Sequence, residues 1–188
     1  MASPSRTHLP YRACAGVALF NRKGKVFVGR RKHMPRLGSD QAWQMPQGGI
    51  DPGEDPFEAA VRELYEETNI TSVQLLAAAK DWLAYDFPDE VTEQKKRNKF
   101  RGQRQMWFAM LFTGDDEEID IEHPAKGKHR AEFSDWRWKK LHKLPKLIVP
   151  FKRDVYRQLA DWFADLPDKI RSGEFSRSQP PSDLTQEP

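Results

Sequence analysis

Residues 48–70 read GGIDPGEDPFEAAVRELYEETNI. A helix start is written at Asp55: aspartate is a favoured N-cap, Pro56 suits the first helical position, and Glu58 follows three residues after the cap. The pattern predicts a helix running to about Thr68 and stopping at Asn69. On such a helix Glu63, Glu66 and Glu67 share one face, the latter two roughly 60° and 40° to either side of the first. Phe57, Ala60, Val61, Leu64 and Thr68 gather roughly 120° away and form the core-facing side. Glu63 meets no lysine or arginine at i+4; it meets Glu67, and like charges so placed cost a few tenths of a kcal/mol. A divalent cation would reverse that sign. Hard oxygen ligands without His or Cys suit magnesium or manganese. A solvated acidic face is the alternative, and spacing alone leaves both open.

The chain has 188 residues and a net charge of +3, the size of one domain with a sizeable core. Charge is unevenly spread. QKKRNKFRGQR (residues 94–104) holds six basic residues and no acid, whereas DDEEIDIE (residues 115–122) holds six acids and no base. Both read as solvated loops, and the basic run also suits a polyanionic partner, because Lys and Arg release counterions from phosphates. Cys14 is the single cysteine, which excludes an internal disulfide and a cysteine zinc cluster. No apolar stretch approaches the roughly 20 residues needed to span a bilayer. MASPSRTHLP lacks the apolar core of a secretory signal, so a cytoplasmic, reducing setting is expected.

Residues 1–10 are expected to be a flexible lead-in, 11–166 one folded domain, and 167–188 a disordered tail with few large apolar residues. RACAGVALF and KVFVGRR read as strands joined by the turn NRKG. KHMPRLGSDQ reads as a loop, AWQMP as a short strand, and VQLLAAAKDWLAYDF as mostly extended with a helical reading open. QMWFAMLFT and FSDWRWKKL read as strands, and VPFKRDVYRQLADWFADL as an amphipathic helix. A mixed sheet flanked by helices follows. No histidine pair stands at metal-ligand spacing, and His33, His123, His129 and His142 are given no catalytic role. Gln47, Trp43 and Trp107 are read as shaping the sheet.

With Gly48, Glu54, Arg62, Glu63, Leu64, Glu66, Glu67 and Ile70 in register, the opening stretch resembles the Nudix box, GX5EX7REUXEEXGU, where U is a bulky apolar residue. Asn69 stands where the motif has its last glycine; asparagine is the next-best residue for a left-handed helix end. The resemblance implies an α/β fold, the Nudix α/β/α sandwich around a mixed β-sheet, and hydrolysis of a nucleoside diphosphate linked to another group. It implies Glu63, Glu66 and Glu67 as ligands of Mg2+ (or Mn2+), Arg62 as the residue orienting them, and Glu54 as a supporting carboxylate. Gly48 and Gly49 would let the backbone approach phosphate or metal.

The flanks WQMPQGGIDPGE, WLAYDFP, QRQMWF, EFSDWRW and FKRDVY resemble the bacterial RNA pyrophosphohydrolases and the plant-type dinucleoside polyphosphate hydrolases. That implies hydrolysis of the 5′-triphosphate or diphosphate end of RNA to a monophosphate, promoting mRNA decay. Diadenosine tetraphosphate is the alternative substrate, and a non-catalytic RNA- or nucleotide-binding module the remote alternative. Arg12, Arg30 and Lys152 would hold phosphates. Tyr85 and Phe151 would stack a base, as readers of single strands do. Glu132 would be a further metal ligand or the general base.

Overall fold

The computed structural model describes residues 7–32, 42–88 and 99–177. Most of the loop beginning at Lys32 and half of the basic run 94–104 lie outside them, as do residues 1–6 and 178–188.

A mixed sheet forms the middle layer. Its centre is a parallel pair, β1 (Tyr11–Phe20) and β7 (Gly102–Phe112), in register from Tyr11 opposite Gly102 to Phe20 opposite Leu111. The free edge of β1 takes β4 (Gln47–Gly49) opposite residues 14–16 and then β2 (Val26–Arg31) at Phe20. β3 (Trp43–Gln44) and β8 (Phe133–Lys139) pair with β2. On the other side β5 (Val73–Ala78) and β6 (Leu83–Asp86) pair with β7, so 73–86 is two strands and not a helix. All pairs but β1–β7 are antiparallel. The β1–β2 turn is closed by Asn21, whose side chain accepts the amides of Lys23 and Lys25, both at 3.0 Å, with Gly24 at φ 67°.

The period of two along each central strand divides the core between two faces. Ala15, Val17 and Leu19 of β1 join Phe108, Met110 and Phe112 of β7 under helix α1 (Pro56–Thr68), which contributes Ala59, Ala60 and Leu64. Ala18, Phe20, Trp107, Ala109 and Leu111 face the opposite way. They meet α2 (Leu144–Leu147), α3 (Arg153–Trp162) and α4 (Leu166–Arg171) through Leu144, Tyr156, Leu159 and Ile170. This is the α/β/α sandwich expected from the motif.

Helix α1 begins and ends where its punctuation says. The Asp55 carboxylate accepts the amides of Phe57 at 2.8 Å and Glu58 at 3.3 Å, a cap worth about 1 kcal/mol. Asn69 takes the left-handed conformation, φ 64°, and its amide returns to the Tyr65 carbonyl at 2.9 Å.

The C-terminal boundary differs from expectation. A tail beginning at residue 167 was expected to be disordered, yet α4 continues to Arg171, followed by a 3-10 turn at Glu174–Arg177. Leu166 and Ile170, at i and i+4, are buried against the α3 side of the core. Two apolar residues at helical spacing suffice to dock a short helix on an existing core.

Candidate functional site

The site lies where α1 crosses β4. Arg62 is its organising cation. Its Nε and Nη2 donate to the two oxygens of Glu54 at 2.7 and 2.8 Å, a bidentate pair, and Nη2 also donates to the Gly49 carbonyl at 2.8 Å. Nη1 donates to Glu63 at 3.0 Å and to Glu66 at 3.2 Å. The helix therefore does carry a compensating i, i+4 base, Arg62 to Glu66, which the count from Glu63 overlooked. Hydrogen bonds from Arg62 hold the Glu54 carboxyl down at about 2. Glu54 also accepts the Asp51 amide at 2.8 Å, tying the glycine-rich loop to the helix.

Glu67 is the exception to the open carboxylate face. It is 4% exposed, accepts only the Gln47 amide at 3.3 Å, and among the described residues forms no ion pair with a basic side chain. Burial first, then repulsion from Glu132 and Glu63, holds its carboxyl well above the usual range. Burial likewise raises Glu63, against the pull of Arg62. A Cβ at Gly48 would run into the Glu63 carboxylate, and one at Gly49 into the Arg12 guanidinium. The close approach is tightest at Gly48, since the exposed Arg12 tip beside Gly49 can swing aside.

Among the described residues no three His, Cys, Asp or Glu side chains already converge as a metal cage, and Glu63 and Glu66 are turned onto Arg62. The donor set nevertheless fits a hard divalent cation. It is all oxygen, it includes a buried carboxylate that forms no ion pair among the described residues, and Gly48 leaves room at Glu63.

The remaining expected residues divide. Glu132 is present, paired with Arg31 at 3.3 Å and close enough to raise Glu67. Arg31, next to the expected Arg30 and across a register shift in β2, reaches this cluster through its pair with Glu132. No pattern in the sequence displays that shift. His129, given no role from sequence, brings Nδ1 to 3.5 Å from Glu66; only tertiary folding shows that.

Tyr85 and Phe151 meet at 5.7 Å between ring centroids, with the buried Lys152 amine 5.4 Å over the Tyr85 ring, on the α3 side. Tyr85 is almost wholly buried, and Phe151 is the more exposed ring of the pair. A buried polar chain joins it to the carboxylates. The Tyr85 hydroxyl donates to Gln103, the Gln105 amide donates to Gln103 at 3.1 Å and to Gln47, and Trp107 Nε1 donates to Gln105 at 3.2 Å. Gln47 thus does more than shape the sheet: its backbone amide is on Glu67 and its side chain ends this chain of bonds.

A family model described as NUDIX domain matches residues 10–159. A protein of Bradyrhizobium sp. named RNA pyrophosphohydrolase is 57% identical over 159 residues, covering 84% of this chain and 95% of that protein. One of the same name from Rhodopseudomonas palustris is 54% identical over 159 residues, covering 84% and 94%. Among solved structures, a C. elegans Ap4A hydrolase in a binary complex aligns with TM-score 0.56 at 19% identity, covering 81% of this chain and 98% of that one. At that identity the likeness concerns the fold.

Proposed function

The chain belongs to the Nudix family, and from that premise we propose that it is an RNA pyrophosphohydrolase, cleaving the 5′-triphosphate or diphosphate end of RNA to a monophosphate that ribonucleases can attack. The observation that carries this reading is 57% identity, over nearly the whole length of both chains, to a protein of that name. The carboxylate helix supports it, because Arg62, Glu63, Glu66 and Glu67 are all present and positioned; a module that only binds nucleotides has no need of a buried, unpaired glutamate. No helix among the described residues is long and apolar enough to cross a membrane, and a cytoplasmic location suits a substrate made there.

Glu63, Glu66 and Glu67 would hold Mg2+ or Mn2+, with Glu132 as a further ligand or the general base. When bound, a divalent cation supplies charge neutralisation at the phosphates and acidifies a water for attack. Arg62 presents Glu63 and Glu66 and keeps them from turning to solvent. Arg12 and Lys152 flank the carboxylates on the β1 and α3 sides and neutralise phosphate. Arg31 takes the phosphate role first given to Arg30. Tyr85 and Phe151 receive a base, and the glutamine chain holds Tyr85 in one orientation relative to Gln47 and Glu67.

Diadenosine tetraphosphate shares the phosphoanhydride and is the comparison substrate. Purified protein with magnesium is incubated with 5′-triphosphorylated RNA and, in parallel, with diadenosine tetraphosphate, and kcat/KM is compared. The proposal expects RNA to be preferred and pyrophosphate or phosphate to be released. Preference for the dinucleotide would replace the proposed substrate, and no cleavage of either would sink the enzymatic reading.

A further inference from the structure

Asn69 does more than end α1. Its Nδ2 donates to the carbonyls of His123 at 3.0 Å and Asp120 at 3.4 Å, and its Oδ1 accepts the Lys126 amide at 3.0 Å. Glycine, the residue of the motif at this place, would end the helix equally well and could make none of these bonds. The clasped segment, residues 124–130, reads PAKGKHR: Lys126, Lys128, His129 and Arg130 are all exposed, and no acid stands among them.

Its backbone is held in an unusual shape. Ala125, Lys126 and Gly127 have φ of 50°, 55° and 81°. For the first two this conformation costs about 1 kcal/mol each, so the surroundings must impose it. Pro124 and Ala125 are buried, which anchors the segment while its basic side chains point outward. The neighbouring acids are largely engaged elsewhere: Glu118 accepts the amides of Thr71 and Ser72, and Asp120 those of Glu122 and His123.

The segment runs into the site. His129 stands 3.5 Å from Glu66, and Arg130 shares with Arg31, Ala131 and Glu132 a pocket of about 170 Å³. Tyr85, Phe151 and Lys152 lie on the α3 side of the sheet, and Glu66 with His129 on the α1 side. A substrate whose terminal phosphates reach the carboxylates meets this segment at His129 beside Glu66 and at Arg130 beside Glu132. Phosphates arriving beside Glu66 and Glu132 meet repulsion that Arg130, in the Glu132 pocket, offsets, with Lys126 and Lys128 exposed on the same clasped segment.

We propose that residues 126–130, clasped by Asn69, are the receiving surface for the substrate's terminal phosphates and for the phosphate product that leaves. This rests on the hydrolase reading above, and the test separates the two. Binding of inorganic pyrophosphate, with magnesium in fixed excess, is measured by calorimetry on the wild type, on Asn69→Gly and on Lys126→Ala/Lys128→Ala/Arg130→Ala. The triple variant should bind pyrophosphate about ten-fold more weakly. Asn69→Gly should lose about two- to three-fold with all basic residues retained, because the surface is no longer held in place. Activity on triphosphorylated RNAs of 5 and 30 nucleotides is then compared, and the triple variant should lose kcat/KM by about the same factor on both. Unchanged pyrophosphate affinity in the triple variant overturns the proposal, as does a loss of kcat/KM that deepens with RNA length, which would make the surface a seat for the RNA chain. If the wild type binds pyrophosphate but leaves both RNAs intact, it is the hydrolase reading that fails.

Discussion

Two acidic segments stand in this chain, and they behave in opposite ways. In residues 115–122 three of the six carboxylates find their own donors. Glu118 accepts the Thr71 and Ser72 amides at 2.6 and 2.9 Å, Asp120 those of His123 and Glu122 at 2.8 and 2.9 Å, and Asp116 the Trp138 indole at 3.1 Å. Backbone donors hold Asp120 below its usual range, and for Glu118 they outweigh the upward push of partial burial. On α1 the same residue type is left short. Arg62 serves Glu54, Glu63 and Glu66, while Glu67 sits in the interior with one long backbone hydrogen bond, and burial raises both Glu63 and Glu67. Sequence alone reads the longer run as a solvated loop and the α1 face as the place a cation would suit. What marks a cation site is carboxylates whose charge the protein leaves uncompensated.

The sharpest way to break this contrast is to neutralise one member of each segment. Glu67→Gln should lower turnover about a thousand-fold or more with an unchanged far-UV spectrum, because a ligand and its charge are lost while the shape is kept. Glu118→Gln should leave turnover within about two-fold of wild type, since it touches no reacting group. Equal losses in both would erase the distinction. Arg62→Lys comes next in size: a lysine cannot reproduce the forked contacts to Glu54, Glu63, Glu66 and Gly49, and kcat should fall about ten- to a hundred-fold.

Stability should invert the ranking. Without divalent metal at neutral pH, Glu67→Gln should raise the unfolding free energy by about 1–2 kcal/mol, since a buried charge disappears and the amide can still accept from Gln47. Glu118→Gln should lower it by about 1 kcal/mol, a value reduced for its partial exposure. Urea titrations of the two variants read both signs. The pH dependence follows. Glu63 and Glu67 have folded pKa values above their unfolded ones, so their cost is full above the folded pKa and fades as pH falls through it. Glu118 and Asp120 have lowered values, so their contribution is present above the unfolded pKa, about 4, and is lost as pH falls further. Metal-free protein should therefore gain stability as pH falls from neutral through the raised carboxylates, and lose it below the unfolded carboxylate value of about 4. A urea midpoint that declines steadily over the whole interval would contradict the raised pair.

What was legible beforehand follows the range of the interactions concerned. The carboxylate helix, its cap at Asp55 and its end at Asn69 are local, and the motif spacing displays them directly. The strands were legible because β1, β2 and β7 carry continuous apolar runs, as strands buried on both faces do. Burial of Glu67 was not, because helical geometry says which residues share a face but not how deep that face sits under β4. Arg31 was missed beside the expected Arg30 because its pair with Glu132 and the register shift in β2 are features of the fold. His129 and the glutamine chain come from segments far apart in sequence, so no pattern in either segment announces the meeting. Helix α4 hid behind Pro167 and the polar residues around Ile170, since docking there needs only Leu166 and Ile170.

The central claim is that the α1 cluster lacks a cation that the protein does not itself provide. Thermal melts with and without magnesium, run on wild type, Glu67→Gln and Glu118→Gln, test it most directly. Magnesium should raise the wild-type and Glu118→Gln midpoints by several degrees and shift Glu67→Gln much less, while Glu67→Gln melts above wild type when metal is absent. Equal shifts in all three proteins, or a metal-free Glu67→Gln that melts below wild type, would contradict the account.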